Sequence, residues 1–442
     1  METQTPERAL AAPLTLPCGA VLANRLAKAA MTEGLAGSAG MPGPGMARLY
    51  GLWASGGCGL LITGNVIVDP DHLERPGNVV LHRDPTPAEA AAVRAWTTAG
   101  TAGGTHLWAQ ISHAGRQTQK LVNPAPKAPS AVKLGLPGGQ FGEPVAMSDA
   151  EVEAVLDAFA ATAARAKALG FTGVQVHGAH GYLLSSFLNP LANQRTDRWG
   201  GALENRARAL LEAVRRTRAA VGPDFPVSVK LNSSDFQKGG LSVEDSRQVA
   251  LWLEAEGVDL LEISGGNYEA PEMMGMKGLE DSAAAPAKAA STLVREAYFL
   301  EFARDLRRQV RTPVMLTGGL RTRAGMEAAL AEGVDVIGVA RPLVCAPNCV
   351  HDLLAGRIDA LPSPEVFLQQ RPGLLGPQSP IPFVRMLQGF AGTYWYYAQF
   401  YRLARGQAVE NPPRPLKALG EVMGLSNAIM KARSGGTAVP PL

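Results

Sequence analysis

This chain of 442 residues has no long apolar run, no cysteine cluster and no block of charge of one sign. Without an uninterrupted stretch of about 20 apolar residues, no integral membrane segment is expected. The amino terminus, METQTPERALAAPLTLP, has no cationic segment leading into an apolar one, so a secretory leader is not expected and a cytoplasmic enzyme is the default. Cys18, Cys58, Cys345 and Cys349 form no paired CxxC array, which argues against disulfides and sulfur-ligated clusters. Cys345 and Cys349 lack the further ligands a closed zinc site needs and read as small buried hydrophobes. The net charge of +3 is spread without a basic block or an interleaved aromatic platform, so nucleic acid is not an expected partner. What remains is a chain that is 46% hydrophobic, enough to bury one large core in a single large domain with an appendage.

The dominant periodicity is large in scale, with short apolar runs alternating with longer amphipathic ones, the pattern of parallel strands joined by crossover helices. Eight strands can be read: Leu26–Met31, Gly59–Asn65, Thr105–Ile111, Thr172–His177, Pro226–Leu231, Val258–Ser264, Pro313–Thr317 and Asp335–Ala340. Their continuous apolar character suits a sheet covered on both faces. The clearest helix starts at Ser148, where Ser-Asp-Ala-Glu is a capping box and Val152, Val155, Leu156, Phe159 and Ala163 follow at helical spacing. Others are expected near 86–100, 202–220, 243–256, 296–309 and 322–332. A dinucleotide-binding sheet would carry GxGxxG after its first strand, whereas Met31-Thr32-Glu33-Gly34 stands there. The expected fold is α/β, a (β/α)8 TIM barrel over residues 1–360. An N-terminal hairpin from Leu14–Leu16 and Ala20–Leu22 would close its floor. Residues 361–442 read as a Pro-rich, aromatic, helical C-terminal extension. The aromatic residues of Pro382–Arg405 could cover the barrel, form a contact in a homo-oligomer or rest on a membrane surface.

Barrel enzymes keep their chemistry at the carboxyl ends of the strands. The fourth strand runs into His177-Gly178-Ala179-His180-Gly181-Tyr182, which puts two imidazoles and a phenol within six residues. Two imidazole donors can bind one carbonyl or nitro oxygen and stabilise the charge that develops there on reduction, and a nearby phenol can supply a proton. Two histidines three apart also suit a metal, but no carboxylate or cysteine accompanies them at ligand spacing, so no metal is expected at this pair. Thr317-Gly318-Gly319 and Gly338-Val339-Ala340-Arg341 end the last two strands, where barrels often hold a phosphate. Lys230, Gln110 and Met31-Thr32 end the fifth, third and first strands, so cationic, amide and hydroxyl groups line the same rim.

These residues resemble the Old Yellow Enzyme family of NADH:flavin oxidoreductases from about residue 13 to about 355. The most specific element is VHGAHGYLLSSFLNPLANQRTDRWGGALENRARALLEAV, Val176–Val214. Asn24-Arg25, the run Gln110 to Arg116, Thr317-Gly318-Gly319 and Ala340-Arg341 support it. The resemblance implies FMN over the barrel mouth, with its phosphate on Gly318, Gly319, Ala340 and Arg341. It places Ala30, Met31 and Thr32 beside the ring, Gln110 at the pyrimidine edge and Lys230 at the N1/C2 carbonyl region. His177 and His180 match the pair that grips the substrate oxygen, and Tyr182 the proton donor. NADH or NADPH would reduce the flavin, which then passes hydride to an enone or nitro compound. Asn193, Arg195, Asp197, Glu204, Asn205 and Arg206 read as residues that fix the long loop and cap the next helix.

Three departures bear on chemistry. Thr32 stands where one branch of the family has a redox-tuning cysteine, Lys230 where arginine is common, and Gly64-Asn65 where an acidic residue is frequent. Lysine keeps the charge but loses the planar fork. Ser112 occupies a place that is bulky in some relatives, and the loop Ala270–Ser291 is expected to shape the pocket. Three other functions suit the same residues: an NADH oxidase or oxidative demethylase, a non-catalytic flavin-binding protein, and an aldolase-like barrel with Lys230 as nucleophile.

Overall fold

A computed structural model of the chain describes residues 9–136, 139–266, 300–364, 368 and 382–442. Eight parallel strands form the barrel: β1 (Leu26–Lys28), β2 (Leu60–Ile67), β3 (His106–Ser112), β4 (Gly173–Gly178), β5 (Val227–Asn232), β6 (Leu260–Ser264), β7 (Val314–Thr317) and β8 (Val336–Val339). β8 pairs with β1, Ile337 opposite Leu26, and β1 with β2, Ala27 opposite Leu60, so the sheet closes. All eight fall on the runs read from the sequence. β1 is the shortest relative to expectation because the chain leaves the ladder after Lys28 and crosses β2. Gly64 makes that crossing possible, since a Cβ there would fall on Met31 O, Thr32 Cα and Glu33 Oε2.

Side chains of a strand alternate between faces, so the inner wall of the barrel is every second residue. At the amino-terminal end that wall is apolar, with Ala27, Leu60, Trp108, Leu260, Met315 and Val336 packed together. The same cluster contains Leu14, Leu16 and Leu22 of the N-terminal hairpin, in which Leu14 pairs with Leu22. The hairpin is therefore the barrel's floor. Further along β3, β4, β5 and β6 the wall turns polar, with Gln110, Gln175, Lys230 and Glu262, all buried. A polar layer inside a dry barrel must satisfy itself or serve a ligand.

Helices cover the outside. The capping box at Ser148 is present, and its helix Asp149–Ala168 buries Val152, Val155, Leu156, Phe159 and Ala163. Helices Leu203–Val221, Val243–Ala255 and Arg323–Ala331 match their expected ranges, and residues 300–307 of the expected 296–309 are described and helical. The helix Pro44–Ser55 has no counterpart in the sequence reading. Met46, Leu49, Tyr50 and Trp53 give it a buried stripe, but its N-cap is Gly43, which offers no side-chain signal. Ala202 likewise leaves the helix Leu203–Val221 without a side-chain cap, contrary to the capping expected there.

The C-terminal extension forms helices Pro382–Ala404 and Pro415–Arg433. Phe400 meets Trp53 edge-on at 5.8 Å, and the Arg75 guanidinium lies 3.8 Å over the Tyr397 ring while donating to Tyr401 Oη at 3.1 Å. Of the roles open to the aromatics, these cover the barrel. Past the second helix, Leu442 N donates to Leu35 O and Gly45 N to Leu442 O, both at 3.0 Å. A Cβ on Gly37, Gly43 or Gly45 would run into this tail. The chain's last residues thus lie in a slot made by the segment that follows β1. Among the described residues no helix is long and apolar enough to cross a membrane.

Candidate active site

His177 lies near the carboxyl end of β4 and points into the barrel, directly opposite Lys230 in the ladder. Its Nδ1 accepts the Ala179 N–H at 3.3 Å, which puts the ring proton on Nε2. His180 follows in the left-handed region, φ 63°, a conformation that non-glycine residues seldom adopt. That turn is held from three sides. The His180 N–H donates to Asn232 Oδ1 at 3.2 Å, its carbonyl accepts Gln117 Nε2 at 3.0 Å, and its Nε2 lies 2.6 Å from Ser264 Oγ. With the serine hydroxyl donating, the His180 proton falls on Nδ1. The two imidazoles sit 5.3 Å apart at 80°, and Tyr182 meets His177 at 4.8 Å and 75°. A strained turn fixed by three partners holds the His180 ring against His177, which also meets Tyr182.

Burial holds both histidines well below the ordinary imidazole range; the neighbouring His180 and Lys230 add to this for His177, and Lys230 for His180. Near neutral pH both are uncharged, each with one N–H to donate. Neutral imidazole can polarise an oxygen without introducing a buried charge.

Beneath the rings runs a polar chain that the sequence reading did not identify as a unit. Glu262 Oε1 accepts from Lys230 Nζ and from Thr317 Oγ1, each at 2.8 Å, and Oε2 accepts from Gln175 Nε2 at 2.9 Å. Gln175 Oε1 in turn accepts Gln110 Nε2 at 2.7 Å. Lys230 and Gln110, expected at the rim, are thus joined through Gln175 and Glu262, which the sequence reading missed. The signal was available: a glutamine and a glutamate stand at inner positions of otherwise apolar strands.

The other expected positions are placed as follows. Ala30, Met31 and Thr32 are half-buried and cross the end of β2 at Gly64. Gly318 and Gly319 follow β7 with φ of 152° and 64°, and Ala340 and Arg341 follow β8. β7 and β8 are paired neighbours, with Gly338 beside Thr317 because a Cβ there would fall on the Thr317 hydroxyl. Asn65 stands opposite Gln110 in the ladder, and its buried Oδ1 has no hydrogen-bond partner among the described residues; neither has Ser112 Oγ on β3. Polar atoms left open beside Gln110 suit a ligand with a polar edge seated on the barrel mouth. The loop Ala270–Ser291 lies outside the described residues.

The signature residues hold the long loop. Asn193 donates to Phe187 O and Trp199 O at 2.8 and 2.7 Å, Arg195 pairs with Asp197, and Arg206 bonds Leu188 O and Asp245.

One further cluster is Asp69, His72 and His113, whose ligand atoms lie within 4.8 Å of one another. Its hydrogen bonds disfavour a cation. Lys127 N–H donates to His72 Nε2 at 2.9 Å and Gly115 N–H to His113 Nδ1 at 3.0 Å. Each ring must then carry its proton on the nitrogen that faces Asp69, where a metal would need a lone pair. Asp69 Oδ2 accepts from His72 Nδ1 at 2.8 Å and lies 3.7 Å from His113 Nε2.

The profile of the NADH:flavin oxidoreductase / NADH oxidase family matches residues 9–359. An NADH-dependent flavin oxidoreductase of Neonectria is 37% identical over 352 residues, 76% of this chain and 45% of that protein. The match therefore spans less than half of the Neonectria protein's length. An NADH-dependent flavin oxidoreductase of Aspergillus parasiticus is 35% identical over 350 residues, 76% of each chain. Among solved structures, an old yellow enzyme homologue from Zymomonas mobilis superposes with a TM-score of 0.66 at 25% identity, over 81% of this chain and 95% of that one.

Proposed function

The chain belongs to the NADH:flavin oxidoreductase / NADH oxidase family, that of the Old Yellow Enzymes, and from that premise we propose that it is an FMN-dependent NAD(P)H oxidoreductase that reduces the activated C=C bond of α,β-unsaturated carbonyl or nitro compounds. The observation that carries the reading is the convergence of His177, His180 and Tyr182 beside Lys230. Gln110, Lys230 and the segment Ala30, Met31 and Thr32 would hold the flavin ring, and Gly318, Gly319, Ala340 and Arg341 its phosphate. The open polar atoms of Asn65 and Ser112 favour a ring with a polar edge over an apolar ligand. When bound, FMN supplies the hydride chemistry, accepting from the nicotinamide donor and giving to the β carbon of the substrate.

The protein's own part is orientation and protonation. His177 Nε2–H and the His180 ring Nδ1–H donate to the substrate oxygen and stabilise the negative charge that grows there. Being neutral, they bind the oxygen of an uncharged substrate without a trapped cation in the pocket. Tyr182 Oη–H supplies the proton to the α carbon. His177 and Tyr182 are buried, so few waters compete for that proton.

The test is anaerobic turnover of the FMN-loaded protein with NADH or NADPH and 2-cyclohexenone. Enone-dependent consumption of the donor supports the reading. Consumption that needs oxygen and ignores the enone would replace it with an oxidase function.

A further inference from the structure

Glu262 is a carboxylate with no exposure at all, and it lies inside the barrel rather than at its surface. A buried carboxylate persists only when its oxygens are met by donors. Here three donors meet it from three strands: Lys230 Nζ from β5, Thr317 Oγ1 from β7 and Gln175 Nε2 from β4. A carboxylate can only accept, so it dictates the direction of every bond that leads away from it. The Gln175 amide nitrogen is committed to Glu262 and to Ser228 Oγ at 3.2 Å, so its carbonyl oxygen faces Gln110. Gln110 must then present its own amide nitrogen to Gln175, at 2.7 Å. That leaves the Gln110 carbonyl oxygen and the second hydrogen of its amide nitrogen available to a ligand, in a fixed order. At the other end of the same chain, Lys230 meets the ligand as half of an ion pair and not as a bare cation.

We propose that Glu262 is a positioning residue for the flavin: it fixes the polarity of the Gln110 amide and offsets the charge of Lys230, and so holds the reduction potential of the bound flavin below the value Lys230 alone would give. The proposal rests on the reading of the barrel mouth as an FMN site. Its physical basis is that reduction adds negative charge to the flavin. A lysine stabilises that charge, and a carboxylate 2.8 Å from the lysine counters it.

The experiment is the midpoint potential of bound FMN, equilibrated against a reference dye, together with the FMN Kd from quenching of flavin fluorescence. Glu262→Gln is expected to raise the midpoint, Lys230→Met to lower it, and the double variant to return it toward wild type. An unchanged midpoint in a folded, FMN-binding Glu262→Gln protein overturns the proposal. If Glu262→Gln does not fold, Gln175→Leu decides, because it cuts the link to Gln110 and leaves the ion pair. There the FMN Kd should rise about tenfold, as expected for losing one oriented hydrogen bond. An unchanged Kd overturns the relay. A wild-type protein that takes up no FMN overturns the flavin reading and the proposal together. Wild type that binds FMN, with variants that match it, overturns the proposal alone.

Discussion

The Tyr182 ring meets His177 edge-on, with centroids 4.8 Å apart and planes at 75°. The two groups have different jobs in the proposed reaction and should fail differently. Tyr182→Phe keeps the ring and removes the proton. It should leave reduction of the flavin by NADPH unchanged and slow enone turnover by about 10²- to 10⁴-fold. His177→Ala removes a donor to the oxygen and should cost about 10²- to 10³-fold in enone turnover. Separate stopped-flow measurements of the two half-reactions check both. Undiminished enone turnover in Tyr182→Phe would remove the proton-donor role.

Acid should weaken the fold before it titrates surface carboxylates. Burial keeps His177 and His180 well below the ordinary imidazole value, and burial with the adjacent His72 pushes His113 down to about 4. In the unfolded chain the same rings titrate near ~6.5. Between those values the unfolded state binds more protons than the native one, so stability present above about pH 6.5 is lost as the pH falls. Each ring contributes about 1.4 kcal/mol per pH unit in that window. The thermal midpoint should fall steadily from about pH 6.5 to about pH 5. A midpoint that holds or rises over that range contradicts the burial of neutral imidazoles.

Lys28 is buried between the barrel and the helix Pro44–Ser55. Its Nζ donates to Ile62 O at 2.7 Å, pairs with Glu33 at 3.8 Å and lies 4.6 Å over the Trp53 ring. Desolvation lowers it to about 8, partly offset by Glu33. Lys28→Ala would leave Glu33 buried with its cation gone and should cost about 3–5 kcal/mol, read by urea unfolding. A loss below about 1 kcal/mol would mean the pair is solvated.

The tail slot gives a steric prediction. A Cβ at Gly45 would meet Leu442 C at 2.5 Å, and Gly45 lies on the segment that follows Thr32 and the β1 end. Gly45→Val should displace residues 439–442, lower stability by about 1–3 kcal/mol and speed tryptic cleavage at Lys431 and Arg433. Wild-type cleavage kinetics would show that the tail does not depend on the slot.

Much of this was legible in the residues because the periodicities are strong. Eight apolar runs are eight barrel strands, and the Ser148 capping box starts a helix where it should. The rim motif around His177 was legible because glycine, histidine and tyrosine have no place in a packed strand end. Other features were hidden for physical reasons. Pro44–Ser55 follows a Gly43 N-cap with no capping side chain, so only Pro44 at its first turn and the stripe Met46, Leu49, Tyr50 and Trp53 announce it, inside a Gly- and Pro-rich stretch that reads as a loop. Glu262 and Gln175 are visible as polar residues in apolar strands, but their partnership appears only when closure of the barrel brings β4, β6 and β7 to one axis. The Asp69, His72 and His113 cluster joins two loops, and its tautomers depend on backbone N–H groups that no side-chain pattern encodes.

The proposed reaction has a flavin at the barrel mouth take electrons from a nicotinamide and give them to an activated double bond. It is tested most directly by the visible spectrum of the FMN-loaded protein without oxygen, after NADPH and then after 2-cyclohexenone. The yellow absorbance should bleach on the first addition and return on the second, with return slowed in Tyr182→Phe. Bleaching that the enone cannot reverse, while oxygen can, would contradict it.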